Sequence, residues 1–366
     1  MNDERNRGNM DRDLNAKHIE WIDVARAFAI CCVVMCHSVE KTYPLHIGYI
    51  PRISAQSRIF CFLAFTFGRC GVPIFLMISG YLLLDRTYDG EQCRKFWRNN
   101  WLRLLVCYEL WNVIYNFYLC FLHQEKFSIN FLLQEMLFVR QISLNHIWYL
   151  PMIIGLYLLV PFVANGLCSL DYKLLQLPII IMFMAVMVFP VIEIIMKGVG
   201  METLSIKLSD GFSGGVNGLY LIWGFLIKKG VLKKCRAYCI GLVGVVAFLL
   251  TIKLQLWSYQ HGNAYNVWYN CGLLVIGTVS IFEIFSRIRI TRCCKLIKVL
   301  SYYSFAIYLI HNMMLREISS MIQQIKLLQP VRVVLLWIGS LILSIFCAAI
   351  INRIPKVGKL LLYTKN

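Results

Sequence analysis

The chain has 366 residues, of which 59% are hydrophobic and 15% charged, with a formal net charge of +18. A soluble domain carries nearer a quarter charged residues, whereas here the apolar residues gather into blocks of about 20, enough to cross a hydrocarbon core about 30 Å thick. An ordinary soluble protein is excluded; and since Arg and Lys sit in short stretches between the apolar blocks, such as "KKGVLKKCR" (228–236) and "SRIRITRCCKLIK" (286–298), the positive-inside rule accounts for the charge without a nucleic-acid partner.

Residues 1–19 are polar and mixed in charge, and read as a cytoplasmic tail with no cleavable signal peptide. The pattern after them predicts an all-α, polytopic transmembrane bundle of about ten spans. In chain order these cover 20–41, 59–84, 102–122, 146–166, 174–195, 214–228, 237–257, 265–285, 299–320 and 330–351. The second is long and expected to break near Gly71-Val72-Pro73. Between the third and fourth, "FSINFLLQEMLFVR" (127–140) is too short and polar to cross, and reads as an amphipathic or re-entrant segment at the surface.

Ten spans put both termini on one side. With the N-terminus in the cytoplasm, the inner segments 1–19, 85–101, 167–173, 229–236, 286–298 and 352–366 hold most of the Lys and Arg. The expected organisation is one transmembrane domain over 20–351, flanked by the tail 1–19 and a basic tail 352–366. Fifteen cysteines fall within spans or on the cytoplasmic side. Their spacing suggests neither a disulfide framework nor a metal site, and most read as small apolar packing residues.

The first span, "EWIDVARAFAICCVVMCHSVE", carries Arg26 and His37 eleven positions apart. At about 100° per residue the two project from one face, about 16 Å apart along the axis. Asp23 lies one turn before Arg26, within pairing reach. A polar stripe of this kind must face protein or water rather than lipid. Histidine changes charge near neutral pH and can take a proton from an alcohol; arginine keeps its charge and can hold an anion or a developing oxyanion. That pair suits acyl transfer, and equally proton-coupled transport. Snorkelling to the interface is the ordinary alternative for Arg26.

Several stretches in order resemble the acyltransferase-3 family of bacterial membrane acyltransferases. "DVARAFAICCVVMCHS" has that family's Arg–(ten residues)–His spacing. "GVPIFLMISGYLLL" (71–84) resembles its Gly-Val-Pro…Ser-Gly-Tyr segment, and "FWRNNWLRLLV" (96–106) the basic start of its third span. "HIWYL" (146–150) and "SYYSFAIYLIH" (301–311) resemble two further segments. The resemblance runs from about residue 18 to 350, and is nearest to single-domain surface-polysaccharide O-acetyltransferases.

It implies transfer of an acyl group, usually acetyl from acetyl-CoA, to a hydroxyl of a cell-envelope glycan or glycolipid at the bacterial plasma membrane, with no resident cofactor and no metal. His37 and Arg26 then take the family's catalytic positions, with His37 as general base. The third-span motif departs from the family pattern: Asn100 stands where the first of two arginines is usual, Arg103 holds the second place, and Val106-Cys107 replace a frequent proline. Arg103, with Arg98 as a substitute, is therefore expected to meet the phosphates of coenzyme A. Ser79, Tyr81 and Tyr308 are candidate oxyanion donors by type and depth. His311 lies one turn after Tyr308. His146, Trp148 and Tyr149 cluster at the outer mouth of span four, where an aromatic belt is the ordinary explanation and a sugar site the functional one. The same polar chamber would also suit an exporter of an envelope precursor.

Overall fold

The computed structural model describes residues 20–140, 145–202, 215–289, 294–354 and 356–363. The tail 1–19 therefore lies outside the described residues, whereas most of the tail 352–366 lies within them. Helix α1 spans Glu20–Thr42, with Glu20 and Asp23 in its first turn and Lys41 in its last, complementing the helix dipole. α2 (Ala55–Gly68) and α3 (Gly71–Leu83) together form the second span, interrupted at Arg69 and Cys70. The interruption falls just ahead of the expected one. Pro73 has no N–H to offer the Arg69 carbonyl, so the ladder opens there and resumes with Ile74 donating to Cys70 at 3.1 Å.

α4 (Gly90–Phe96) opens with a capping box between Asp89 and Gln92, then runs through a π-helical turn, Trp97–Trp101, into α5 (Leu102–His123). α6 (Ile129–Met136) is the expected surface segment, with Ile129, Leu133, Leu137 and Val139 exposed around it. After a 3₁₀ turn at Asn145–Trp148 come α7 (Tyr149–Ser169), then α8 (Gln176–Phe183) and α9 (Phe189–Gly198) joined by a π turn. The second half holds α10 (Gly215–Lys228), α11 (Ala237–Gln260), α12 (Gly272–Arg287), α13 (Lys295–Tyr302), α14 (Ser304–Met321), α15 (Gln329–Asn352) and the short α16 (Val357–Leu361).

Among the described residues the fold is all helical, and seven helical stretches are long and apolar enough to cross a membrane. These are Glu20–Thr42, Ala55–Leu83, Gly90–His123, His146–Ser169, Tyr172–Gly198, Ala237–Gln260 and Gln329–Asn352. The other three expected spans fold as shorter or more polar helices. α10 has 14 residues and α12 has 16; α13 and α14 meet at Tyr303, and α14 carries Arg316 and Glu317. The described cysteines are free thiols.

α1 is the hub of the bundle, packed against α2, α3, α12, α13, α14 and α15. Its surroundings therefore come from protein on nearly every side, which gives its polar stripe somewhere other than lipid to face. α3 and α10 pack backbone to backbone: a Cβ on Gly80 would lie 1.9 Å from the Leu221 carbonyl oxygen, and one on Gly224 2.0 Å from that of Met77. Small residues permit this backbone approach, the packing mode favoured between helices in lipid.

Candidate functional site

The first turns of α1 place Asp23 and Arg26 on one side, as the spacing predicts. Arg26 Nη1 lies 3.6 Å from Asp23 Oδ1, and Ser301 Oγ at the end of α13 donates to the same carboxylate oxygen at 2.7 Å. Asp23 is buried, whereas the Arg26 side chain keeps 34% of its surface accessible. That surface opens into a cavity of about 870 Å³, within the size range of small-molecule sites.

The cavity is built around the N-terminal half of α1. Arg26 and Lys298, paired with Asp23 at 3.6 Å and Glu20 at 3.7 Å, are the two cationic side chains among its lining residues; Ser79 and Tyr157, which share a hydrogen bond at 3.1 Å, stand on its wall. Asn100 and Tyr363 line it as well, and Tyr363 Oη donates to the Asn100 carbonyl at 3.2 Å. At the far end stand Tyr149 and Tyr308, their ring centroids 5.4 Å apart.

His37 is not among the residues lining that cavity. It sits beyond the two tyrosines in a cluster of three imidazoles, with ring centroids 5.3 Å from His311 and 6.2 Å from His146; the latter two are 4.9 Å apart. Tyr308 forms the partition. Its hydroxyl donates to the His146 carbonyl at 2.5 Å, and its ring lies 5.6 Å from that of His146 and 6.0 Å from that of His311.

The hydrogen bonds assign a tautomer to each ring. His37 Nδ1 donates to Glu40 Oε2 at 2.7 Å, leaving Nε2 as the lone-pair nitrogen. His311 Nδ1 donates to the carbonyls of Tyr308 at 2.7 Å and Ile307 at 3.1 Å, so its Nε2 is also an acceptor. Asn312 Nδ2 donates to His146 Nδ1 at 2.9 Å, so His146 carries its proton on Nε2. The Nε2 atoms of His146 and His311 are buried with no hydrogen-bond partner among the described residues. A free donor and a free acceptor thus adjoin the accessible imidazole of His37, whose side chain is 18% exposed.

Glu40 also accepts a hydrogen bond from Arg69 Nη2 at 2.8 Å. Glu40 and Arg69, with Asn266 and Trp268, line a second and more open cavity of about 430 Å³ at the other end of α1. Trp148 lies close by, its ring 5.7 Å from that of Trp268 and 5.5 Å from that of Tyr269.

Of the residues singled out in the sequence, Asp23, Arg26, Ser79, Tyr149 and Tyr308 come together on the larger cavity, and His37, His146 and His311 in the cluster behind it. Tyr81 faces away, edge-on to Trp21 at 5.0 Å and Phe282 at 6.4 Å. Arg103 lies against the Tyr363 ring at 5.2 Å, one residue removed from the cavity wall, and Arg98 is exposed on the π turn. Asn100, named in the sequence only as a departure from the third-span motif, lines the cavity too; Lys298, Tyr157 and Tyr363 on the cavity, and Glu40, Arg69 and Asn312 at the cluster, escaped the sequence reading. Of these Glu40 carried a local signal, three positions after His37 on the same helical face. The rest arrive from other helices.

A family described as an acyltransferase domain matches residues 19–353, nearly the whole chain, and the chain belongs to that family. No curated protein and no solved structure matches it.

Proposed function

We propose that this acyltransferase-3 family member moves an acetyl group from acetyl-CoA, on the cytoplasmic side, to a hydroxyl of an envelope glycan or glycolipid at a bacterial plasma membrane. The single observation carrying this reading is that α1 presents its two polar groups to two different spaces. Arg26 lines the large cavity, and His37 stands behind its Tyr149–Tyr308 end, against residues of the second cavity. Such a site suits two substrates that enter from opposite ends of one helix.

In this reading Lys298 and Arg26 meet the anionic part of the donor, with Arg103 and Arg98 further out; the pantetheine arm runs along the Ser79–Tyr157 wall to Tyr308, whose ring swings aside to bring the thioester to His37. The acceptor lies in the space of Glu40, Asn266 and Trp268, with Trp148 alongside. His37 Nε2 takes the proton of the acceptor hydroxyl as its oxygen bonds to the thioester carbon. The C–S bond then breaks, and the imidazolium returns the proton to the departing thiolate. The products are an O-acetyl ester and free coenzyme A. The Nε2–H of His146, buried with no hydrogen-bond partner among the described residues, is a donor for the tetrahedral oxyanion. The carboxylate-held tautomer of His37 leaves its reactive nitrogen free, as base chemistry requires.

The test is transfer of isotopically labelled acetyl from acetyl-CoA by the purified chain, reconstituted in membranes carrying envelope glycolipids. Label enters the glycan fraction with the wild type and not with a folded His37→Ala variant. Label transferred equally by His37→Ala would remove His37 from the chemistry. A wild type that labels nothing yet carries glycolipid across the vesicle would be an exporter.

A further inference from the structure

Three features of the sequence bring Glu40 and Arg69 together. Glu40 is one turn beyond His37 on α1. Gly68 ends α2 flush against α1: a Cβ there would lie 2.6 Å from the Cys36 backbone nitrogen. Arg69, the next residue, stands in the interruption before α3, where its side chain reaches up one turn from Cys36 to Glu40.

The guanidinium is held through its two terminal nitrogens and between aromatic rings, while its buried Nε has no hydrogen-bond partner among the described residues. Arg69 is 5% exposed; its charge lies over the rings of Trp268 at 4.4 Å and Phe65 at 4.6 Å, and Nη1 donates to Tyr269 Oη at 3.4 Å. Such a rigid cation determines where the Glu40 carboxylate sits. Its Oε1 takes the hydrogen bond from Arg69 and its Oε2 the one from His37, at 2.8 and 2.7 Å. A carboxylate held from behind in this way fixes both the rotation of the imidazole and the nitrogen that carries the proton.

We infer that Glu40, anchored by Arg69, is the positioning residue that holds His37 in its reactive tautomer. This rests on the reading of His37 as base. Arg69 acts through Glu40, and Glu40 through His37; neither needs to touch the donor. Replacing the carboxylate by an amide also weakens the tie to Arg69, so that loss is read separately as thermal stability. Only the base-orienting role predicts a fall in kcat in the folded variant, because a glutamine can present its NH₂ group to Nδ1 and favour the wrong tautomer.

Two readouts in the reconstituted, full-length protein separate these cases. In the transfer assay, Glu40→Gln lowers kcat by about 100-fold or more, by analogy with carboxylate-to-amide replacement behind a catalytic histidine, while KM for acetyl-CoA changes by less than about threefold, since the donor cavity is a separate space; Glu40→Asp restores part of kcat. Independently of any transfer, diethyl pyrocarbonate modifies His37 several-fold more slowly in Glu40→Gln than in wild type, read as the mass shift of the His37 peptide. Arg69→Lys follows the same pattern and serves if Glu40→Gln does not fold. Glu125→Gln, which removes a surface carboxylate paired with Arg316 at 3.3 Å, changes nothing. A Glu40→Gln variant with wild-type kcat, beside an inactive His37→Ala, overturns the positioning role and leaves the proposed function standing. If the wild type transfers no acetyl, the proposed function fails and the modification rate alone decides: slower in Glu40→Gln upholds the positioning, and an equal rate overturns it.

Discussion

Tyr308 Oη donates to the backbone carbonyl of His146 at 2.5 Å, and this one bond ties α14 to the turn ahead of α7 at the end wall of the large cavity. The ring separates the space around Arg26 from the three imidazoles. Tyr308→Phe keeps the ring and loses the tie, so thermal unfolding in detergent shows a loss of about 0.6–2 kcal/mol, the range for interhelical hydrogen bonds in membrane proteins. Tyr308→Ala removes the partition itself. Acetyl-CoA hydrolysis without an acceptor then rises above the wild-type background, measured as release of free thiol.

Asn100 lines the same cavity at the position where the resemblance led arginine to be expected, and its backbone carbonyl is held by Tyr363. Asn100→Arg adds a cation beside the donor path. KM for acetyl-CoA falls by about fivefold, corresponding to about 1 kcal/mol of added binding, and the gain shrinks as salt is raised from 50 to 500 mM. An unchanged KM would place the anionic part of the donor elsewhere.

Gly80 and Gly224 let α3 and α10 touch backbone to backbone. A side chain at either position meets a carbonyl oxygen rather than a flexible group, so neither helix can yield locally. Gly80→Val costs at least about 1–3 kcal/mol, the usual range for overpacking. The variant elutes as aggregate or unfolds at lower temperature, whereas Gly90→Ala, with nothing within 4 Å of the added atom, behaves as wild type.

Asp85, beyond the end of α3, pairs with Lys229 at 2.6 Å and Lys228 at 3.4 Å. Burial disfavours its charge, but hydrogen bonding and attraction from the two lysines outweigh burial and hold the carboxyl below its ordinary value of 3.8. A depressed folded-state value contributes stability above the unfolded value and loses it as pH falls through the folded one. Wild type is therefore slightly more stable than Asp85→Asn at pH 6, by less than about 1 kcal/mol for so accessible a pair. The difference begins to shrink as pH drops below about 3.8, the ordinary value, and is gone once pH is below the depressed folded-state value, in paired unfolding curves.

Much of this architecture was legible in single stretches of sequence. Apolar blocks of span length, the Pro73 interruption and the polar stripe Asp23–Arg26–His37 are properties of one helix at a time; seven of the ten expected blocks, the interruption and the stripe reappear within a few residues of their expected places. What local pattern could not show was company. Arg26 and His37 share a face, yet two tyrosines from α7 and α14 divide the space along it. Tyr81 has the right type and depth but points to Trp21.

By itself, then, the sequence determined an all-helical membrane chain, its family, and a first helix that could not face lipid, because hydropathy, spacing and charge act over one or two turns. Only the tertiary structure decided that Glu40 and Arg69 meet at His37, that Lys298, Asn100 and Tyr363 ring the same cavity as Arg26, and that the imidazoles lie behind a tyrosine wall. Those contacts join residues as far apart as Arg26 and Tyr363. They depend on how closely helix backbones approach, a quantity fixed by small residues such as Gly68 packing against a partner that no local pattern identifies.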